Sequence, residues 1–257
     1  MRFLSSVFEV LSAYRQSLLL GVRTTLLVAL TGTLFGFLIG LLVGAFRAIQ
    51  PEWNASPLVR RIKRFADTLL YLYITLFRGT PMMVQAAFLY YAFLNVFHWS
   101  ALAAAITVIS INTGAYMSEI IRAGIQAVDN GQKEAARALG MSNGQMMRYV
   151  VIPQAIRNVF PAIGTELIVN IKDSSALMII SITELMFESK SIAGSTFRFT
   201  ETYFIEAMIY LILTSLAALL LNTIEKKMSD TKTSLPQSVS DPREFSSAER
   251  RSSDVRY

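Results

Sequence analysis

The chain has no cysteine. That excludes disulfides, zinc–thiolate sites, iron–sulfur clusters and cysteine nucleophiles. Histidine occurs once, as His98, which leaves little for metal binding or imidazole acid–base chemistry. Charge is scarce at 16% of residues, against roughly 25% in soluble domains. No Gly-x-x-x-x-Gly-Lys-Ser/Thr phosphate loop is present, so the chain is not expected to hydrolyse ATP itself. What is present is apolar: 53% of the 257 residues are hydrophobic and the mean hydropathy is +0.44. An all-α integral membrane protein is therefore expected.

A bilayer crossing takes about 20 mostly apolar residues. Thr24–Phe46 carries no formal charge, nor does Gly79–Ser118, which is long enough for two crossings. The second run divides at Asn95–Ser100, where Asn95, His98 and Trp99 read as an interfacial turn. A further run from Val159 to Ile182 is interrupted by Glu166, Lys172 and Asp173, and the last spans Ala207–Ile224. The pattern predicts five transmembrane helices over 18–46, 68–95, 100–125, 155–182 and 203–225. The first apolar run is too long for a signal peptide and lacks a cleavage pattern.

The basic residues set the expected orientation. Arg47, Arg60, Arg61, Lys63 and Arg64 lie between the first two helices, Arg122, Lys133, Arg137 and Arg148 between the third and fourth, and Lys226 and Lys227 after the fifth. The other side has Arg2, Arg15, Lys190 and Arg198 in its loops, with Arg23 near the entry of the first helix. The positive-inside rule then puts the N-terminus outside and the C-terminus in the cytoplasm. Much of the net charge of +6 is explained by that placement, and no nucleic-acid partner is implied. Residues 1–17 read as an external N-terminal segment and 18–227 as the membrane domain. The Ser-, Asp-, Glu- and Arg-rich stretch 228–257 reads as a disordered cytoplasmic tail. Gln50–Pro57 reads as a polar connector, and Arg60–Phe77 as an interfacial helix leading into the second crossing.

Gly32, Gly36, Gly40 and Gly44 recur every fourth residue in the first helix. At helical spacing they form one smooth stripe that lets another helix approach closely, and a subunit interface is one use of such a stripe. The loop 129–153 is more specific. Gln132–Leu139 predicts a short helix, which Gly140 ends in a left-handed conformation. Ser142 and Gln145 form a capping-box pair for a second short helix, and Pro153 marks entry to the fourth crossing. Small, charged and exposed, this hairpin suits docking into a groove on a soluble partner.

Glu134-Ala-Ala-Arg-Ala-Leu-Gly140, followed by Ile152-Pro153, resembles the EAA loop of type I ABC importer permeases. Phe77-Arg-Gly-Thr-Pro-Met-Met-Val-Gln85 is similar to the Arg-Gly-Thr-Pro element of the polar amino-acid members, with Met82-Met83 where Leu-Leu is usual. Asn112–Ile125, Lys172–Leu177 and Thr183–Met186 are similar to segments of the same permeases. The resemblance covers roughly Leu18–Lys227. It implies the type I ABC importer permease fold and a place in the bacterial cytoplasmic membrane. It also implies that Glu134, Ala135, Ala136, Gly140 and Pro153 couple to an ATPase. The implied partners are two ABC ATPase subunits that hold ATP and Mg2+, a second permease subunit (identical or related), an extracytoplasmic amino-acid-binding protein, and membrane lipid. On this reading the chain is a transport subunit, not an enzyme, and binds no cofactor itself.

Independently of the resemblance, Gly79 and Pro81 should start or kink the second crossing. Ionisable groups inside membrane helices usually face a bundle interior or a hydrated passage. Glu166, Asn170 and Asp173 share one helix face, with Lys172 beside it and Ser174 and Ser175 following. Asn112, Tyr116 and Glu119 repeat the spacing, with Arg122 one turn on. Together with Arg78 and Thr80 they form the candidate substrate pathway, offering both charge signs to a zwitterion. The alternative is structural: Glu119 with Arg122, and Lys172 with Asp173, neutralising charge between packed helices, and Arg78 anchoring at the interface. A competing function is an ion-driven secondary amino-acid carrier or channel. It predicts internal repeats, of which none is visible, and leaves the 134–140 loop unexplained. A membrane enzyme has less support still, because no metal cluster or Ser/His pair stands out.

Overall fold

Four glycines set the spacing of the central helices. In the computed structural model, which describes residues 2–49, 51 and 56–233 with side chains as far as Lys227, helix α2 (Arg15–Ala48) lies along α5 (Ala101–Gln126). A Cβ built on Gly32 would lie 2.2 Å from Ile109 Cγ2, on Gly36 2.6 Å from Thr113 Cβ, and on Gly40 2.3 Å from Met117 Cβ. On Gly44 it would lie 2.6 Å from the Ser118 carbonyl. The partner numbers rise in step with the glycine numbers, so the two helices run parallel. The stripe is thus a seam within one chain, and its use as a subunit interface does not hold.

Parallel neighbours need a return path, and α3 (Pro57–Gly79) with α4 (Met82–Phe97) supplies it. Ser56 starts α3 by accepting from the Val59 amide at 3.4 Å, with Pro57 in the first turn. The helix expected over 68–95 is instead two, bent by 114° at Thr80–Pro81. Proline has no N–H and pushes the residue before it out of the helical region. Thr80 accordingly sits at φ −124°, ψ 149°. The kink expected at Gly79–Pro81 is therefore present.

After α5, Asp129 caps α6 (Asn130–Ala138) by accepting from the Gly131 amide. Gly140 takes φ +76°, which a side chain would strain. The full capping box of Ser142 and Gln145 opens α7 (Asn143–Met146). A π-helical turn, Met147–Val151, leads into α8 (Ile152–Asp173). This helix runs antiparallel to α5: a Cβ on Gly124 would meet Val159 at 2.3 Å, while Thr113 donates to Asn170 at 3.1 Å. A 3-10 turn, Ser174–Ile180, then breaks the helix expected to reach 182.

Glu184, fully buried, caps α9 (Leu185–Thr196) by accepting from the amides of Met186 and Phe187 at 2.8 and 2.7 Å. Tyr210 of α10 (Phe199–Thr233) donates to the same carboxylate at 3.1 Å. The start of α9 is wedged against α2, where a Cβ on Gly21 would lie 2.8 Å from Leu185 Cα. The expected external segment 1–17 is mostly helix α1 (Arg2–Ala13). It is tied to α10 by the Phe3–Phe204 ring contact at 5.6 Å and by Ser6 donating to Glu201 at 3.1 Å.

By length and composition α2, α5 and Phe199–Lys227 are each able to cross a membrane, and α3 with α4 is a fourth if the bent pair is one span. The remaining expected crossing, 155–182, is diluted by Glu166, Lys172 and Asp173 and is cut at Ser174. The chain divides into the units Met1–Asn222 and Thr223–Tyr257. The described part of the second unit is helical to Thr233, so helix extends past the expected start of the tail at 228. The rest of that tail, and residues 50 and 52–55 of the expected connector, lie outside the described residues.

Candidate functional site

The polar residues singled out in the sequence separate into a buried set and a more accessible set. In the buried set, Asn170 donates to Thr33 at 2.8 Å and accepts from Thr113 at 3.1 Å, so α8 is pinned to both α2 and α5. Asn112 donates to Gln85 Oε1 at 2.9 Å and to the Phe77 carbonyl at 3.1 Å. Gln85 Nε2 in turn faces the Phe77 carbonyl at 2.9 Å and both Thr80 oxygens at 2.8 Å. Ser174 is buried and donates to the Ile171 carbonyl at 2.9 Å, and Ser175 donates to that of Lys172 at 2.7 Å. Unmet polar groups are costly away from water; Asn170 with Thr33 and Thr113, and Asn112 with Gln85, meet one another's needs, whereas the half-buried Ser175 and the buried Ser174 bond nearby backbone carbonyls.

The accessible set is charged. Arg78, at the end of α3, lies over the Tyr116 ring of α5, 5.3 Å from its centroid. Glu166 is within Coulombic range of both Arg78 and Asp173, and Asp173 of Lys172. Arg78, Lys172 and Asp173 are exposed, while Glu166 and Tyr116 are half-buried. The structure therefore brings together Arg78, Tyr116, Glu166, Lys172 and Asp173 from three helices. This face presents two cations and two carboxylates beside an aromatic ring, which is chemistry that can hold an ammonium and a carboxylate at once.

Glu119 stands apart from this face. Arg122 reaches it at 2.7 Å and Arg47 bonds its other oxygen. The charge-neutralising alternative is what forms at Glu119. Arg47, which the sequence places in the loop after a first helix ending at 46, lies inside α2, which runs on to Ala48. Nothing in the sequence pairs Arg47 with Glu119, because the register that sets Gly44 against Ser118 and Ile121 joins residues far apart in the chain. Gln85 closes the Phe77–Gln85 element in the sequence without a role assigned to it, and its place four residues after Pro81 is what sets its amide against the broken turn.

At the far end of α5, Ala136 is buried among Ile121, Ile125, Met146, Met147 and Val151. Glu134, Ala135 and Gly140 are exposed, and Leu139 is 79% exposed. Helix α6 is thus seated through one small side chain, and α7 through Met146, while the outer face of α6 is exposed. Pro153 lies in the first turn of α8 and is exposed.

Comparison with known proteins adds the following. The model of the family described as "Binding-protein-dependent transport system inner membrane component" matches residues 36–230. The glutamine transport system permease protein GlnP of Escherichia coli K12 is 33% identical over 211 residues, 81% of this chain and 91% of that protein. The probable amino-acid permease protein YxeN of Bacillus subtilis 168 is 32% identical over 217 residues, 83% and 92% of the two chains. A crystal structure of an amino acid ABC transporter with histidines superposes with a TM-score of 0.72 at 37% identity, covering 88% of this chain and 98% of that one. An inward-facing MetNI methionine ABC transporter superposes at 0.70 with 20% identity, covering 84% and 98%, which is a likeness of fold.

Proposed function

The chain belongs to the family of binding-protein-dependent transport system inner membrane components, and from that premise we propose that it passes a polar amino acid across the cytoplasmic membrane, driven by ATP hydrolysis on separate subunits. What carries the reading is the family match over residues 36–230, which takes in both the α6–α7 hairpin and the charged face. Relatives named as glutamine and amino-acid permeases support the substrate class.

In this reading the N-terminus is outside and the C-terminus cytoplasmic, as the Lys/Arg distribution favours. The α6 helix then faces the cytoplasm and docks on an ATPase subunit through Glu134, Ala135, Ala138 and Leu139, with Gly140 and Pro153 fixing the hairpin. Two ATPase subunits supply ATP and Mg2+, and an extracytoplasmic binding protein delivers the amino acid. The face of Arg78, Tyr116, Glu166, Lys172 and Asp173 is open on one side, and a second permease subunit, identical or related, closes it into a passage. Arg78 and Lys172 attract the substrate carboxylate, and Glu166 and Asp173 its ammonium. Closure of the ATPases moves α6, and through α5 opens the passage to alternate sides.

The test is co-purification with the cognate ATPase, comparing wild type with Gly140→Asp. Wild type forms a complex whose ATPase rate rises with loaded binding protein. Gly140→Asp, strained at φ +76°, inserts in the membrane but loses that stimulation. A wild-type chain that ignores the ATPase yet moves solute alone in liposomes overturns the reading in favour of an ion-driven carrier.

A further inference from the structure

The break between α3 and α4 leaves backbone carbonyls without their helical donors. The Phe77 carbonyl would bond the amide of residue 81, but Pro81 has none. The Leu76 carbonyl would bond the Thr80 amide, but Thr80 has left the helix. The Thr80 carbonyl has no following turn, because the amides of Val84 and Gln85 both go to Pro81 O at 3.0 and 3.1 Å. Each of the three finds a side chain instead. Thr80 Oγ1 donates to Leu76 O at 2.8 Å. Gln85 Nε2 serves both Phe77 O and Thr80 O, and Asn112 Nδ2 gives Phe77 O a second donor. Gln85 is 7% exposed and Asn112 9%, so the two amides that meet Phe77 O are themselves shielded, and the bond between them is buried, whereas Thr80 is exposed. Leu76 O is met locally, but Phe77 O and Thr80 O keep the Gln85 and Asn112 donors only while α3 and α4 hold their bend and both stand at one height on α5.

We propose that Gln85 and Asn112 are a positioning pair, which locks the α3–α4 bend onto α5 and so fixes where Arg78 stands in the passage. Arg78 is the residue after Phe77, whose carbonyl takes both amides. Its guanidinium lies over Tyr116, one helical turn beyond Asn112 on the same helix. The two anchor points are thus adjacent to the two partners of the cation–π contact. Asn112 acts here through Arg78 and does not itself contact the substrate. The importance for transport rests on the proposed passage, whereas the lock on the bend does not.

The chain has no cysteine of its own, so the bend can be read by nitroxide pairs at Leu72→Cys and Phe88→Cys. These sites are 62% and 67% exposed on α3 and α4. The measurement is made in the assembled transporter, spin-diluted with unlabelled chain. The unsubstituted pair gives one narrow distance distribution. Gln85→Met, similar in shape without the donors, broadens it towards longer distances, and Asn112→Ser, which keeps Gln85, gives an intermediate broadening. In unlabelled complexes Gln85→Met lowers kcat/KM for uptake by roughly tenfold to hundredfold, the scale of a group displaced by about 1 Å. The loss is expressed mainly in KM while the amount of assembled complex is kept. An unchanged distribution in both variants overturns the proposal, as does a loss accounted for by less assembled complex with KM unchanged. If Gln85→Met fails to assemble, the Asn112→Ser distribution decides alone. Should the distribution broaden while Arg78→Gln transports like wild type, the lock stands and the passage reading fails.

Discussion

Gly40→Ala is the sharpest test of the packing at the centre of this fold. The added methyl would lie 2.3 Å from Met117 Cβ and 2.9 Å from both Met117 C and Ser118 N. Two of these atoms are backbone, and Cβ cannot turn away, so no rotamer change relieves the overlap. To restore ordinary contact near 3.4 Å the helices must part locally by about 1 Å, and a gap of that size forfeits a quarter to a half of each neighbouring dispersion well. Overpacking of this kind costs about 1–3 kcal/mol, offset by up to about 1 kcal/mol from the better helix propensity of alanine. The net expectation is a loss of roughly 1–2 kcal/mol, seen as a melting temperature lowered by a few degrees. Thermal unfolding of the detergent-solubilised complex, followed by size-exclusion fluorescence, reads this directly. Gly32→Ala should cost a similar amount, because its 2.2 Å contact is Cγ2 of Ile109, a fully buried β-branched residue whose χ1 is confined to one rotamer in a helix. Gly194→Ala, with nothing within 4 Å in α9, should be neutral or stabilising. Equal effects at the three glycines, or a Gly40→Ala chain as stable as wild type, would refute the seam.

Two further outcomes are expected. Glu119→Gln leaves Arg47 and Arg122 facing one another without their shared carboxylate, and the group is partly shielded, so the loss is about 1–2 kcal/mol. A double-mutant cycle between Glu119→Gln and Arg47→Gln should show non-additive melting shifts, and simple additivity would mean the contact contributes nothing. For orientation, a membrane-impermeant maleimide should label Leu139→Cys only in inside-out vesicles and Leu4→Cys only from the outer face. The reverse pattern would invert the proposed topology.

Much of this architecture was legible in the sequence because its signals are local. Gly140, Ser142 with Gln145, and the Gly79–Pro81 break each act within a few residues, and each appears as expected. The apolar runs gave α2, α5 and most of α10 for the same reason. The partners of the glycine stripe were not legible, because the contact with α5 joins residues far apart in the chain. Periodicity could show a smooth face but not whether it meets the same chain or another. The candidate pathway residues were harder still. Helical spacing puts Asn112 with Tyr116, and Asn170 with Glu166 and Asp173, but it cannot tell a polar side chain turned to the proposed passage from one bonded to a neighbour. Asn112 and Asn170 went to neighbours because a carbonyl at Phe77 and hydroxyls on Thr33 and Thr113 stood waiting. Arg78, Tyr116, Glu166 and Asp173 keep the accessible face.

The close seam between α2 and α5 also has a mechanical meaning. Helices separated by long side chains can slip, because rotamers act as soft bearings. Here the ridge of Ile109, Thr113 and Met117 meets bare backbone at Gly32, Gly36 and Gly40, so axial slip must lift one helix over the other. The pair behaves as a single strut. One end of it continues through Asp129 into α6, and the other, at Gly21, presses on the Leu185 backbone at the start of α9. A displacement applied at the hairpin therefore reaches α9 with little lost to compliance along the way.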